Sequence, residues 1–351
     1  MKIWGKIAAL LVVVLCLNMA LLVGCDKNGD VLPITPATDD TPHFVLSNPN
    51  ATESAKRLYD YIGATYKHKI LSGQQESYWI DSNSDFEMDY LLETTGKLPA
   101  IRGLDFIEDD FANVVTRSKA WAAKGGIVTI CWHCSSKFDG GYNDCKADEL
   151  TDAEWDAMLT DGTPENVATL AAMDKAGRAL LELQSADIPV LWRPFHEFDG
   201  DWFWWSKGDK AAEHFKKLWV MMYDHFTNDL HLNNLIWVLG YSFRGDTDNV
   251  DYYPGDEYCD IVGGDSYYTA LLGAEERLFD AVYSLIGDKK PITLHEVGYI
   301  PIVEELKEVP WTWFMTWHTT YLTQDNKPDE LSAVYNSDYV ITLDELPPLY
   351  E

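Results

Sequence analysis

Basic residues are scarce in this chain. Lys and Arg number 27 against 57 Asp and Glu, a net charge of −30 over 351 residues. So acidic a surface repels a polyanion, which excludes nucleic acid as a partner. No Gly-rich phosphate fingerprint follows the first apolar run of the domain, where Leu71-Ser72-Gly73-Gln74 stands instead. A dinucleotide-binding open sheet is therefore disfavoured. Compositional bias is also missing. Hydrophobic residues make up 46% and charged residues 24%, which excludes wholesale disorder and collagen-like repeats. Aromatic side chains, in contrast, are abundant, with 14 Trp and 19 Tyr. A core absorbs some of these, and the Trp count points to stacking platforms for a ligand.

Lys2 and Lys6 precede an uncharged run from Ile7 to Gly24. Its length suits a membrane span, but its place at the N-terminus behind two lysines reads as an export signal. The run ends Leu22-Val23-Gly24-Cys25, which resembles the bacterial lipobox. In such signals the peptide is cut before the Cys, which is then acylated. The expected organisation is a lipoprotein signal peptide over 1–24, a lipidated Cys25 with a tether over 25–42, and one folded domain over 43–351. The tether reads DKNGDVLPITPATDDTP from residue 26 and has no apolar period. The expected product is an exported bacterial lipoprotein that meets the membrane through its lipid alone. The periplasmic and cell-surface faces both stay open.

Cysteine is thin at 6 residues. Beyond Cys16 and Cys25, four remain: Cys131, Cys134, Cys145 and Cys259. Cys131-Trp132-His133-Cys134 has a redox or zinc-like spacing, yet no second CxxC or HxxxH accompanies it. Structural or free cysteines are expected, with no metal, and three pairings are open if the thiols oxidise.

Eight short apolar runs bounded by turn residues follow: Lys69–Gln74, Pro99–Phe106, Gly126–His133, Ile188–His196, Leu235–Tyr241, Asp260–Ser266, Pro291–Glu296 and Thr312–Trp317. Near-continuous hydrophobicity marks strands buried on both faces, as in a parallel sheet. Helical spacing appears between them. Glu165–Ala186 places Val167, Leu170, Met173, Ala176, Leu180 and Leu183 on one stripe, and Lys210–Asp229 places Phe215, Leu218, Trp219, Met222 and Phe226 on another. Ser47–Tyr61 and Gly273–Ile286 read alike. Alternating strands and helices on this scale predict an α/β fold, a (β/α)8 TIM barrel forming a single domain. The runner-up is an open doubly wound sheet. In a barrel, chemistry sits at the C-terminal ends of the strands.

Polar residues gather there. The fourth run ends Arg193-Pro194-Phe195-His196-Glu197, and the seventh ends His295-Glu296-Val297-Gly298. One strand-end Glu is ordinarily a solvated carboxylate or an ion-pair partner. Two of them, each preceded by His and 99 residues apart, would face each other across the barrel mouth. Paired carboxyl groups are the equipment of glycoside hydrolysis, one protonating the leaving oxygen and the other attacking C1 or activating water. Arg102, Asp105, His133, Asp265, Tyr267, Trp317 and His318 end other strands. Asp199-Gly200-Asp201-Trp202-Phe203-Trp204-Trp205 follows Glu197 at once, and some of its aromatics should face the cleft and some the body. Residues 135–164 are a candidate loop over the cleft.

Here the sequence resembles glycoside hydrolase family 26, typified by β-mannanases of the retaining clan built on (β/α)8 barrels. The segment Trp192-Arg193-Pro194-Phe195-His196-Glu197-Phe198-Asp199-Gly200-Asp201-Trp202-Phe203-Trp204-Trp205 carries the resemblance. His295–Gly298, Ile130–His133 and Gly264–Tyr267 add to it. The resemblance implies that Glu197 is the general acid/base and Glu296 the nucleophile, with Arg193 and His196 positioning the carboxylates. It implies that His133, Trp202, Tyr267 and Trp317 line the subsite for the sugar being cleaved, and that no cofactor is needed. The implied substrate is β-1,4-mannan, glucomannan or galactomannan. Release of mannobiose from chain ends, and action on mixed-linkage glucan or xylan, stay open. A non-catalytic glycan-binding lipoprotein is the alternative from another class, and the presence of both Glu residues argues against it. Nothing in the sequence specifies an oligomeric state.

Overall fold

The computed structural model describes residues 44–83, 85–242 and 249–350, and, of the stretch before them, two short strands. These are Gly24–Cys25 and Val31–Leu32, which pair antiparallel. Apart from these two strands, the stretches expected to be signal peptide and tether lie outside the described residues, as does the side chain of Cys25. Residues 1–40 and 41–351 form separate units.

In the second unit eight parallel strands close on themselves. They are β1 (Ile70–Gln75), β2 (Ile101–Asp105), β3 (Ile127–Cys131), β4 (Val190–Arg193), β5 (Leu235–Ser242), β6 (Ile261–Ser266), β7 (Ile292–Val297) and β8 (Trp313–Thr316). Each pairs with the next, and β8 pairs back onto β1 with Trp313 opposite Leu71. Every residue in the eight strands is buried. That is why their sequences read as unbroken apolar runs: one face meets the barrel interior and the other meets helices. Where strands crowd, side chains are deleted. A Cβ on Gly263 would sit 1.8 Å from the carbonyl oxygen of Thr293 on the neighbouring strand.

A ninth strand, β9 (Val340–Ile341), adds in parallel to the lower half of β1, with Val340 opposite Ile70. It occupies the edge that β2 takes higher up, from Gly73 onward. The Ser72 hydroxyl donates to the Ile341 carbonyl at 2.7 Å and seals the junction.

The helices occur close to where periodicity puts them, with physical reasons for the differences. Pro164–Gln184 begins at its Thr163 cap. Ala211–Asp224 is followed by a wide π turn over His225–Asp229. The helix expected from Ser47 starts instead at Glu53, capped by Thr52. Upstream of it, the Ser47 N–H is taken by Asp260 and the Asn50 N–H by the Asn48 side chain, which hold the segment in turns. The run expected to extend as strand to His196 stops at Arg193, because Phe195 and Glu197 adopt φ of 50° and 54°. Residues 135–164 contain two helices, Tyr142–Ala147 and Asp152–Leu159. Among the described residues no helix is long and apolar enough to cross a membrane.

Candidate active site

The strand ends open into a cleft of about 780 Å³. His133, His196, Glu197, Trp202, Tyr267, Glu296 and Trp317 all line it. Arg193 lies beneath them, only 2% exposed.

Glu296, near the end of β7, is held from several directions. An Arg193 Nη2 donates to its Oε1, and the Tyr267 hydroxyl donates to its Oε2 at 2.7 Å. His196 Nε2 stands 3.8 Å from Oε1. The other end of the Arg193 guanidinium reaches Asp265 Oδ2 at 3.3 Å. Burial disfavours the charge on Arg193, but Glu296 and Asp265 outweigh that and hold it protonated. Asp265 is pushed well above the usual carboxylate range, first by burial and then by the charge of Glu296.

Glu197 has a different environment. Its backbone N–H donates to the Gly240 carbonyl at 2.8 Å, which anchors the turn after β4. Its Oε2 accepts from the Trp202 indole N–H at 2.8 Å. Burial and the neighbouring charge of Glu296 push it up to about 8, against the opposing pulls of Trp202 and Arg193. One carboxyl group thus keeps its proton at neutral pH beside another that faces a guanidinium. Such a pair can deliver a proton at one atom and a nucleophile or base at the other.

The histidines differ in role. Burial and Arg193 push His196 far down, so its ring is neutral. The Asp105 carboxylate meets His133 Nδ1 at 2.5 Å and its backbone N–H at 3.0 Å. Burial would raise Asp105, but His133 lowers it on balance. His295 does not share the position of His196. It is fully buried inside the barrel against the Thr293 hydroxyl (2.8 Å) and the Leu239 carbonyl (3.1 Å), and burial pushes it down to about 3. The register of β7 shifts between Leu294 and Glu296, leaving His295 as the extra residue, so it can turn into the barrel below a cleft-facing Glu296. His196 is placed differently because β4 has already ended.

The aromatic run divides. Trp202 and Phe203 line the cleft. Trp204 and Trp205 are buried and donate to the carbonyls of Cys134 and His196, each at 2.9 Å. The cleft also has walls that strand-end reasoning misses: Trp79, Tyr142, Lys146, Tyr268 and Tyr321. Tyr142 and Lys146 fall in the 135–164 segment that the sequence marks as a loop over the cleft. The others have no local signal.

Cys131, Cys134, Cys145 and Cys259 are all buried and unbridged. Among the described residues two groups bring possible metal ligands within 4.8 Å: Asp105, Cys131 and His133, and His196, Asp265 and Glu296. In the first, burial holds the Cys131 thiol protonated. In the second, the Arg193 guanidinium already occupies the position a cation would take.

Comparison with known proteins accords with this geometry. The family model described as glycosyl hydrolase family 26 matches residues 47–345. A mannan endo-1,4-beta-mannosidase from Thermothelomyces thermophilus is 35% identical over 90% of this chain and 67% of its own. Mannan endo-1,4-beta-mannosidase A from Piromyces sp is 30% identical over 86% of this chain, which spans only 50% of that relative's length. The solved beta-mannanase from a symbiotic protist of the termite Reticulitermes speratus, complexed with gluco-manno-oligosaccharide, superposes with a TM-score of 0.80. It is 30% identical and covers 89% of this chain and 100% of that one. With its closed barrel, its two strand-end glutamates and these matches, the chain belongs to glycosyl hydrolase family 26 and is a glycoside hydrolase.

Proposed function

We propose that the chain is a retaining β-1,4-mannanase that cleaves mannan, glucomannan or galactomannan by double displacement. The observation that carries this reading is the contrast within the pair. Glu197 is pushed up to about 8, while Glu296 is gripped by Arg193 and Tyr267. Glu296 attacks C1 as the glycosidic bond breaks, and Glu197 gives its proton to the departing oxygen. The ester so formed removes the charge of Glu296, the largest cause after burial that raises Glu197. Glu197 then falls toward the ordinary carboxylate range and takes a proton from the water that attacks C1. His133 and His196, which line the cleft with Arg193 beneath them, are the groups proposed to favour one configuration at the 2-hydroxyl of the cleaved sugar. Trp202 and Trp317 supply apolar faces for stacking. The named activities of the relatives support mannan as the substrate.

The deciding comparison is kcat/KM on mannotetraose, cellotetraose and xylotetraose. A polar group left unpaired by the wrong C2 configuration costs about 1–3 kcal/mol, roughly ten- to a hundredfold in rate. Equal or better turnover of either competitor moves the function to that glycan. Azide rescue separates the roles: Glu197→Ala should yield a β-glycosyl azide from an activated aryl glycoside, and Glu296→Ala the α-azide. The reverse pattern swaps the two residues.

The same chain is proposed to be an exported lipoprotein anchored through Cys25, on the strength of Leu22–Cys25 behind the apolar run. Wild type should fractionate with membranes and Cys25→Ala should not be lipidated. A mature N-terminus at another residue refutes the anchor.

A further inference from the structure

Two walls of the cleft come from loops remote in sequence. After β1 the chain passes through Glu76 and Ser77 into the four-residue helix Tyr78–Asp81, which carries Trp79. After β8 it passes through Trp317, His318 and Thr319. The Trp79 ring lies 6.4 Å from that of Trp317 and 5.0 Å, edge-on, from that of His318. All three line the cleft. Neither loop is self-supporting. One turn of helix is not stable alone, and Thr319 adopts φ 49°, a strained setting for a β-branched residue.

Two buried carboxyl groups meet at this junction. Glu76 pairs with Arg102 and Arg117, each at 2.7 Å, and the Arg117 guanidinium covers the Tyr78 ring at 4.0 Å. That ties the β1 loop to β2 and the helix beyond it. Glu87, on the helix Phe86–Thr95, is wholly buried and faces the other way. Its Oε1 accepts from the Thr319 N–H at 3.0 Å, Ser77 lies beside the same carboxyl group, and its buried Oε2 has no hydrogen-bond partner among the described residues. No guanidinium or ammonium pairs with it among its described contacts. A carboxyl group buried against neutral donors is costly unless those contacts are the reason for it.

We propose that Glu87 is a positioning residue for the glycan cleft: by binding the Thr319 N–H with Ser77 packed beside the same carboxyl group, it locks Trp79 against Trp317 and His318 and so builds one aromatic wall. Glu87 does not line the cleft and acts through those rings. This rests on the reading of the cleft as a glycan site and adds to it the element that fixes its shape.

The test uses the full chain with Glu87→Ala, Glu87→Gln and Trp79→Ala, and two readouts. The first is kcat and KM on manno-oligosaccharides. Glu87→Ala should raise KM about tenfold with kcat within about threefold, a loss of binding rather than of chemistry. Glu87→Gln should stay near the parent, because its amide oxygen still accepts the Thr319 N–H. Trp79→Ala should reproduce the KM effect without touching the buried junction, so the proposal is tested even if Glu87→Ala does not fold. The second readout is limited proteolysis mapped by mass spectrometry, which needs no substrate. New cleavage should appear within 76–85 and 317–324 in Glu87→Ala. Parental KM in Trp79→Ala, or parental KM and cleavage in Glu87→Ala, overturns the proposal, as does a loss confined to kcat. A parent that prefers another glycan overturns the mannan reading alone, since the KM comparison then moves to that glycan and the cleavage pattern is unaffected.

Discussion

Replacing Trp202 by Phe keeps an aromatic face on the cleft wall and deletes the indole N–H that reaches Glu197 Oε2 at 2.8 Å. That hydrogen bond favours the ionised carboxylate, so its loss makes Glu197 a weaker acid. A hydrogen bond to a charged group is worth about 1.5–3 kcal/mol, and about 1.36 kcal/mol corresponds to one pKa unit. Glu197, at about 8 in the parent, should therefore move up by at least ~1 unit. Glycosylation requires its protonated form, so kcat/KM falls as pH rises through this value. The alkaline limb of the kcat/KM profile in Trp202→Phe should shift upward by that amount. Deglycosylation requires the ionised form and should suffer. On an activated aryl β-mannoside at pH 6–7, kcat should fall about tenfold and KM should fall with it, as the glycosyl-enzyme accumulates. The assay is a pH series of kcat/KM on a manno-oligosaccharide, whose poor leaving group needs the proton, and of kcat on the aryl mannoside, with the intermediate trapped for mass measurement. An alkaline limb that stays put or moves down refutes the reasoning. So does a uniform loss of kcat and kcat/KM at every pH, which would make Trp202 a binding surface and nothing more.

Two further outcomes follow from burial. Glu197 binds its proton in the folded state up to about 8, whereas an unfolded chain releases it near 4.3. The folded state therefore loses stability as pH rises across that window. Glu197→Gln removes the titration, so its unfolding free energy should exceed the parent's by an amount that grows with pH, reaching on the order of a few kcal/mol above pH 8. An unchanged gap between pH 5 and pH 9 contradicts this. Gly263→Ala forces a methyl group to within 1.8 Å of the Thr293 carbonyl, a backbone atom that cannot swing aside. Denaturant titration should show a loss of at least about 3 kcal/mol at unchanged slope, and a loss below ~1 kcal/mol would mean the β6–β7 spacing is softer than it looks.

The barrel was legible in sequence because every strand is buried on both faces, and that condition writes itself as apolar runs at regular intervals. The strand-end glutamates were legible for the same reason, since polar residues that end such runs stand out. What lay hidden depends on side-chain direction and on contacts across the chain. The matching His-Glu pairs after β4 and in β7 suggest equivalent histidines, yet His196 follows the end of β4 in a turn with positive φ at Phe195 and Glu197, whereas His295 stands within β7 at a register shift. Arg193 reads as a cleft residue but lies below it, where its charge serves Glu296 and Asp265. Trp79 and Tyr321 stand on four-residue helices too short to carry a period. Only the fold brings them to the cleft. Ser47 belongs to a helical pattern by composition and to a turn by virtue of a partner 213 residues away.

The seam at β1 bears on how a ribosome delivers this protein. β1 is among the first strands to emerge, but its partners β8 and β9 come from residues 313–316 and 340–341. Until those residues appear, a nascent chain holds an open, curved sheet with β1 unpaired along one edge and half of the other. Such an edge recruits whatever strand is nearest, and contacts this distant in sequence form slowly. The barrel thus cannot close until β8 and β9 have been made. Any factor that keeps β1 apart from other strands until then governs the yield of folded enzyme.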